Sequence, residues 1–259
     1  MLKKYKSDLV VVANKRVGNG FFELTLKVDI DDIVVLPGQF VEVRIPGADG
    51  VLLRRPISVH DFDSQNGTLK LLVHIVGNGT DKLSTCAVGD KVDVIFPLGN
   101  GFDLEAAGSS PLLVGGGVGV APLLYLAKEL EKRGAEPVFL LGARTAEGLL
   151  KREEYENICR VDVATEDGSD GTKGFVTDHS DFTESELVKF TSVLQCGPTP
   201  MMKAVAAKCK AANAKCYASL ENMMACGFGV CLCCVNETVN GMKRVCADGP
   251  VFDVNDLKW

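Results

Sequence analysis

The sequence predicts an antiparallel β barrel, followed by a parallel-sheet α/β domain and a small cysteine-rich domain. Three observations support this fold class. Residues 1–103 contain short apolar segments separated by turn residues, and in residues 104–214 such segments alternate with helical patterns. Residues 215–259 are rich in glycine and cysteine. Repeated short strands favour a barrel, and strands alternating with helices favour a parallel sheet.

The first domain is predicted from five segments rich in β-branched and apolar residues. Turn residues such as Pro37-Gly38 and Asn66-Gly67 separate them. The predicted strands are Leu9–Ala13, Phe21–Val28, Gln39–Ile45, Leu69–Val76 and Lys91–Phe96. Because no helical pattern lies between these segments, the strands are expected to pair antiparallel.

The second domain is predicted from a change of pattern near Gly108. Pro122 in a first turn, Gly134 beyond a last turn and a capping box at Thr183–Glu186 mark helix ends. The predicted strands are Pro111–Gly115, Pro137–Leu141, Arg160–Ala164 and Thr191–Gln195, and the two longer helices are Ala121–Arg133 and Thr199–Ala212.

Composition excludes several classes of function. The chain has 259 residues, a net charge of −6 and a pI near 5.2, so no basic surface is expected for nucleic acid or anionic lipid. The uncharged run 106–127 contains five glycines and two prolines, and we therefore predict no membrane span. Ten cysteines without a secretory leader indicate a reducing cytoplasm and metal or redox chemistry.

Four of these cysteines have the spacing C-x4-C-x2-C-x11-C: Cys226, Cys231, Cys234 and Cys246. Three close thiolates and a fourth further along the chain are typical of a plant-type [2Fe–2S] site. Glycines at 227 and 229 allow the loop to approach bridging sulfides. Cys233 is predicted not to be a ligand, because neighbouring side chains of an extended segment point in opposite directions.

Other interpretations of these cysteines are less favoured. A structural zinc site usually contains two C-x2-C pairs, and this segment has one. A thioredoxin-like pair would use Cys231 and Cys234 and leave Cys226 and Cys246 without a role. A zinc-stabilised nucleotide-binding or docking module, which would not be an enzyme, is nevertheless kept as an alternative.

Two short motifs in the first domain could bind a pyrophosphate. Arg54-Arg55-Pro56-Ile57-Ser58 offers a guanidinium, and the turn Gly77-Asn-Gly79-Thr80, after Leu72-Val73-His74, offers N–H and hydroxyl donors. Each motif alone is weak evidence, since an arginine pair is also typical of a solvated strand end.

A glycine-rich turn in the second domain joins a strand to a helix, where backbone N–H groups can hold phosphate. Its sequence is Gly115-Gly-Gly-Val-Gly-Val120-Ala-Pro, and Val120 occupies the third glycine position of G-x-G-x-x-G. A tight turn without a ligand remains an alternative.

Cys196-Gly197-Pro198 follows a predicted strand at the edge where parallel sheets bind ligands, although most such cysteines are simply buried.

Taken together, these motifs resemble those of the ferredoxin reductase superfamily. The family pattern Arg-x-Tyr-Ser/Thr appears here with Ile57 in place of the aromatic residue, so ring stacking from that position is lost. The resemblance implies FAD binding by Arg55, Pro56, Ile57, Ser58, Leu72, Val73, His74, Gly79 and Thr80. It also implies nicotinamide-nucleotide binding by Gly115, Gly116, Gly117, Gly119, Cys196, Gly197 and Pro198, with Ser58 and Cys196 as catalytic residues. From the residues alone, Arg144 and Glu147 do not decide whether the preferred cofactor is NADP or NAD. The resemblance favours NAD.

The segments Ser219–Gly227 and Cys246–Phe252 are similar to those of the electron-transfer subunits of type B dihydroorotate dehydrogenase. That resemblance covers essentially the whole chain. It implies a cytoplasmic hetero-oligomer, a heterotetramer, with an FMN-containing catalytic subunit. Electrons from dihydroorotate would pass through [2Fe–2S] and FAD to NAD+ in pyrimidine biosynthesis. Subunits of ferredoxin:NADP oxidoreductases and sulfhydrogenases share these motifs and remain alternatives.

Overall fold

A computed structural model describes residues 3–47 and 50–259. The chain divides into two units: Met1–Gly101, Glu221–Asn236 and Lys243–Pro250 form unit 1, and Phe102–Leu220, Glu237–Met242 and Val251–Trp259 form unit 2. The predicted domains 1–103, 104–214 and 215–259 stay a prediction. Residues 1, 2, 48 and 49 of the first domain lie outside the described residues, and the third domain contributes segments to both units.

Unit 1 contains a seven-stranded sheet in the order β4-β3-β7-β1-β2-β6-β5, with every neighbouring pair antiparallel. The strands are β1 Tyr5–Arg16, β2 Phe21–Lys27, β3 Phe40–Val43, β4 Arg55–Ser58, β5 Asp61–Asp63, β6 Thr68–His74 and β7 Lys91–Leu98. All five predicted strands are present. The sequence did not indicate β4, β5 or the short helix α1 (Asn78–Leu83), so the expectation of strands without intervening helices was wrong at α1.

Two consecutive residues connect the two ends of this sheet. The Val59 N–H donates to the carbonyl of Gln39, next to β3, and the His60 N–H donates to the carbonyl of Lys70 in β6, both at 2.9 Å. The interior is filled by fully buried side chains such as Val11, Phe22 and Leu71. The barrel-type fold predicted from the sequence is therefore confirmed.

Unit 2 contains a second seven-stranded sheet, in the order β11-β10-β9-β8-β12-β13-β16. All its pairs are parallel except β13–β16. The remaining strands of the chain are β8 Leu112–Gly116, β9 Val138–Ala143, β10 Arg160–Thr165, β11 Thr172–Lys173, β12 Val193–Cys196, β13 Cys216–Ser219, β14 Val235–Thr238, β15 Gly241–Arg244 and β16 Val251–Asp253, with β14 and β15 pairing as a separate two-stranded sheet. The parallel-sheet prediction is confirmed.

Five α-helices lie in the described part of unit 2, and the first and third of them in chain order were not predicted from the sequence. They are α2 Leu104–Ala107, α3 Ala121–Lys132, α4 Arg152–Glu156, α5 Glu184–Leu187 and α6 Thr199–Ala211. The capping box predicted before α5 was wrong: Thr183 is the N-cap, but its hydroxyl lies 3.2 Å from the Ser185 hydroxyl and makes no cap bond. Within the described residues, no helix combines the length and the apolar character needed to cross a bilayer.

Candidate functional site

Arg54, just before β4, and Arg55, its first residue, have different partners. Arg54 donates to the Asp93 carboxylate at 2.7 Å and to the Asp93 carbonyl at 3.0 Å. Burial raises the pKa of Asp93, but the hydrogen bonds and positive charges of Arg54 and Lys6 together outweigh burial, so the pKa falls below its usual value. Arg54 is therefore a structural anchor. Arg55 donates from Nη1 to neighbouring backbone carbonyls, those of Leu53 at 2.8 Å and Arg54 at 3.3 Å, and it is the arginine of the predicted flavin site.

Arg55 lies directly against the predicted pyrophosphate turn. A Cβ atom on Gly79 would be only 3.2 Å from the Arg55 Nε atom. Glycine at this position therefore lets the guanidinium lie close to the turn backbone. The structure thus brings together the two short motifs that the sequence presents about twenty residues apart. An arginine and backbone donors in one place form a suitable cradle for a pyrophosphate.

Thr80 has a different role from the one expected. Its hydroxyl accepts hydrogen bonds from the N–H groups of Val76 (2.9 Å) and Gly77 (3.3 Å) and donates to the Gly77 carbonyl at 3.1 Å. These bonds hold the turn in shape. The hydroxyl is already engaged, and we infer that this turn would contact a phosphate through its backbone.

The other predicted flavin residues are mostly buried. The side chains of Ile57, Leu72 and Val73 belong to the core, so these positions can meet a cofactor mainly through their backbone. Pro56 and Ser58 are half-buried. The exposed His74 stacks on Phe21 with ring centroids 4.3 Å apart, which provides an aromatic surface that the sequence did not reveal.

The Cys226 sulfur accepts hydrogen bonds from backbone N–H groups of the loop that follows it, those of Phe228, Val230 and Cys231. Burial raises the pKa of this thiol, but the hydrogen bonds outweigh burial and lower it to about 6. The loop therefore stabilises a thiolate, which is the form that binds iron. The positive φ of Gly227 (76°) and Gly229 (90°) allows this curled backbone.

The four predicted ligands form two pairs of thiols. The Cys231 thiol is hydrogen-bonded to Cys226, and the Cys246 N–H donates to the Cys234 sulfur at 3.3 Å. Burial is the main cause that raises the pKa of Cys246 to about 12, and the neighbouring Cys234 thiol is the second. Among the described residues, no three cysteine sulfurs lie within 4.8 Å of one another. A single zinc ion bound by all four thiolates would need the sulfurs around one centre, so two pairs fit a two-iron cluster better.

Cys233 lies apart from these pairs. Its exposed thiol donates to the Met223 carbonyl at 3.7 Å. That Cys233 is the spare cysteine of the segment stays a prediction.

Arg244 and Asp248 form a clamp beside the cysteines that the sequence analysis missed. Arg244 donates from Nε and Nη2 to the two Asp248 carboxylate oxygens, each at 2.9 Å, and from Nη1 to the Gly229 carbonyl at 3.2 Å. The clamp therefore joins the loop after Cys226 to the turn that carries Cys246. The i,i+4 spacing of opposite charges around Cys246 was the available signal.

Glu42 is a second residue that the sequence analysis missed. It is fully buried on β3, with neither carboxylate oxygen hydrogen-bonded within the described part of the chain. Burial raises the pKa of Glu42 to about 7, and Arg54 opposes this effect. No signal in the sequence marks Glu42, because Phe40-Val41-Glu42-Val43 resembles an ordinary strand with one face in water.

In unit 2, the glycine-rich turn and the Cys196–Pro198 motif lie side by side, because β8 and β12 are parallel neighbours. A Cβ atom on Gly119 would be 2.4 Å from the Gly197 Cα atom. A Cβ on Gly116 would be 2.5 Å from the Met201 sulfur, and one on Gly115 would be 2.9 Å from the Val120 side chain. These three glycines are therefore needed for close packing.

Gly117 differs from the other glycines of this turn. Its φ is 55°, and apart from its chain neighbours no atom of the described residues lies within 4 Å of the place where its Cβ would be. It precedes α3, whose first turn contains Pro122 and has no side-chain cap. Open backbone beside uncapped helical N–H groups is suited to an anionic phosphate. Cys196, by contrast, is fully buried.

Three family models match successive parts of the chain. They describe an oxidoreductase FAD-binding domain (residues 9–102), an oxidoreductase NAD-binding domain (residues 113–207) and the iron-sulfur cluster binding domain of dihydroorotate dehydrogenase B (residues 221–258). The chain is 41% identical to the dihydroorotate dehydrogenase B (NAD(+)), electron transfer subunit of Bacillus caldolyticus, over 97% of this chain and 98% of that one. It is 37% identical to that of Shouchella clausii (strain KSM-K16), over 99% of both chains.

The chain belongs to the family of dihydroorotate dehydrogenase B electron transfer subunits. It is accordingly a subunit of an oxidoreductase with FAD-binding, NAD-binding and iron–sulfur-binding domains. A solved NADH-dependent reduced ferredoxin-NADP oxidoreductase is 32% identical, with a TM-score of 0.86 over 98% of this chain and 90% of that one. The ferredoxin reductase in carbazole 1,9a-dioxygenase (21% identity, TM-score 0.69, 82% and 66% coverage) shares the fold.

Proposed function

We propose that this chain is the electron transfer subunit of dihydroorotate dehydrogenase B. A catalytic subunit would oxidise dihydroorotate, and this chain would pass the electrons on to NAD+. The observation that carries the proposal is the pairing of the four cysteines in a chain that matches this family from end to end. Bound FAD would exchange two electrons with a nicotinamide and single electrons with an iron–sulfur cluster.

The residues of this chain have distinct tasks in that relay. Cys226, Cys231, Cys234 and Cys246 would hold the iron, and the N–H groups after Cys226 would stabilise its thiolate. Arg55 and the backbone of the Gly77–Thr80 turn would orient the pyrophosphate of FAD. Ser58 is proposed to contact the reacting edge of the flavin. Gly117 and the start of α3 would receive the pyrophosphate of NAD, with Gly197 and Pro198 lining the same edge of the sheet.

Cofactor analysis tests this assignment directly. Purified protein is expected to contain about one FAD and about two irons per chain and to show the visible spectrum of both. Colourless protein loaded with zinc would refute the redox assignment and support a zinc-stabilised binding module.

We further propose that the partner, an FMN-containing catalytic subunit, docks over the Cys226–Cys246 segment to form a cytoplasmic heterotetramer. The apolar side chains of Phe228, Val230 and Leu232 in the loop after Cys226 are exposed, as is that of Met223 just before it. An apolar surface of this kind around a one-electron site is typical of a protein interface. Val230→Ser combined with Leu232→Ser should weaken co-purification of the partner, whereas Leu52→Ser, at a position 94% exposed elsewhere in unit 1, should not.

A ferredoxin-linked partner is the second candidate, since the chain is 32% identical to the NADH-dependent reduced ferredoxin-NADP oxidoreductase. Isolation from the native host, followed by assay of dihydroorotate-dependent NAD+ reduction, separates the two. Co-purification with a ferredoxin-linked enzyme that lacks this activity would favour the second candidate while leaving the cofactor assignment intact.

A further inference from the structure

Glu42 is a buried carboxyl that none of the predicted sites uses. Its side chain is 0% exposed, and neither oxygen has a hydrogen-bond partner within the described residues. Burying a carboxyl group without a hydrogen bond costs free energy, so its presence here calls for an explanation. Leu or Met would fill the same volume without that cost.

The position of Glu42 links two predicted redox sites within unit 1. On one side, Glu42 pairs with Pro56 of β4, in the middle of the flavin motif. On the other, a Cβ atom on Gly227 would be 2.5 Å from the Glu42 Cγ atom and 2.9 Å from its Oε1 atom. Gly227 directly follows Cys226, so the Glu42 side chain lies against the cysteine loop itself.

The backbone around Glu42 is fixed by charged neighbours. Arg54 donates to the Glu42 carbonyl at 3.3 Å while its other bonds hold Asp93. The charged and titratable groups that act on the Glu42 carboxyl are Arg54, Arg55 and Cys226. Glu42 is thus held on a rigid strand, and the glycine loop is the part that must adapt to it.

We propose that Glu42 is a positioning residue whose carboxyl seats Gly227, and with it the Cys226 end of the cysteine loop, against the strand pair that carries the flavin motif. This inference rests on the proposed function, because it assigns a purpose to the contact between the two sites. It requires both the shape and the polarity of the side chain.

The substitutions Glu42→Gln and Glu42→Met separate shape from polarity. Gln keeps both properties and should retain the iron content and the midpoint potential of the wild type. Met keeps only the size. The Met variant should lose the visible cluster absorbance about threefold faster than the wild type. At a fixed potential, the ratio of oxidised to reduced cluster should differ from that of the wild type by about threefold. Asp61→Asn, at another buried carboxyl of unit 1, is the matched control and should change neither quantity.

These measurements can overturn the inference. It fails if Glu42→Met matches the wild type in both quantities, or if Glu42→Gln is impaired as much as Glu42→Met. Iron-free wild-type protein would instead refute the proposed function. Iron-replete wild type with no effect at position 42 would refute only this inference.

A double-mutant cycle tests the contact even if one variant is too unstable to load iron. Gly227→Ala places a methyl group against Glu42, and Glu42→Ser removes the obstacle. The loss of folded protein caused by Gly227→Ala should therefore be about threefold smaller in the Glu42→Ser background, measured as the folded-to-unfolded ratio at a fixed denaturant concentration. Equal losses in the two backgrounds would show that the residues do not interact and would overturn the proposal.

Discussion

At the scale of single residues, the cysteines of one short segment have different environments. Cys231 and Cys233 are both exposed, but only Cys231 is paired with another predicted ligand. Cys231→Ala should therefore lose the cluster while retaining FAD, because it removes one of four iron ligands. Cys233→Ala, the matched control two residues away, should keep about two irons per chain. Iron analysis with a visible spectrum checks both, and loss of iron in Cys233→Ala would show that the ligand assignment is wrong.

Glu42 leads to a prediction about pH. Its pKa is raised from 4.5 to about 7 by burial, so the folded protein retains a proton that the unfolded chain releases in this range. The stabilising effect of that proton is fully present below pH 4.5 and is lost as the pH rises through about 7. The loss is on the order of 3 kcal/mol. Glu42→Gln should abolish this dependence. Denaturant unfolding of both proteins at pH 5 and pH 8 provides the check, and parallel pH profiles would contradict it.

At the scale of elements, the nucleotide turn depends on glycines that allow two backbones to meet. A Cβ on Gly119 would be 2.5 Å from the Cys196 carbonyl oxygen and 2.4 Å from Gly197, both rigid backbone at the end of β12. Gly119→Ala should therefore displace the turn before α3, cost about 1–3 kcal/mol of stability and raise the KM for NADH. Gly148→Ala, whose Cβ would lie 3.3 Å from the Ala143 methyl group, is the milder control. Thermal unfolding and NADH-dependent dye reduction measure the two effects, and a normal KM in Gly119→Ala would argue against this placement of the nucleotide.

At the scale of the whole molecule, the proposed sites are distributed over two units, and their losses should be separable. The flavin and cysteine sites lie in unit 1, and the nucleotide turn lies in unit 2. Arg55→Ala should lower the FAD content, because it removes the cation proposed to hold the pyrophosphate. Cys231→Ala should still allow NADH to bleach the flavin, yet fail in dihydroorotate-dependent NAD+ reduction with the partner. Normal partner-linked activity in Cys231→Ala would refute the relay. Oxidation of dihydroorotate by the wild-type chain alone would refute the need for a partner.

The sequence by itself determined the local structure and the kind of chemistry. All five strands predicted in residues 1–103 are present, as are the helices at Ala121 and Thr199, because alternation, helical periodicity and glycine or proline at the ends encode local conformation. The spacing from Cys226 to Cys246 indicated a cluster rather than zinc, since that preference depends on ligand type and distance along the chain.

Only the tertiary structure decided which partner each side chain has. It assigned the Thr80 hydroxyl to its own turn, three of the turn glycines to packing, and Arg54 rather than Arg55 to Asp93. It also placed Glu42 against Gly227, 185 positions away by residue number. Such contacts depend on which strands become neighbours and on how a distant loop returns to them. The pattern along a single strand carries no information about either.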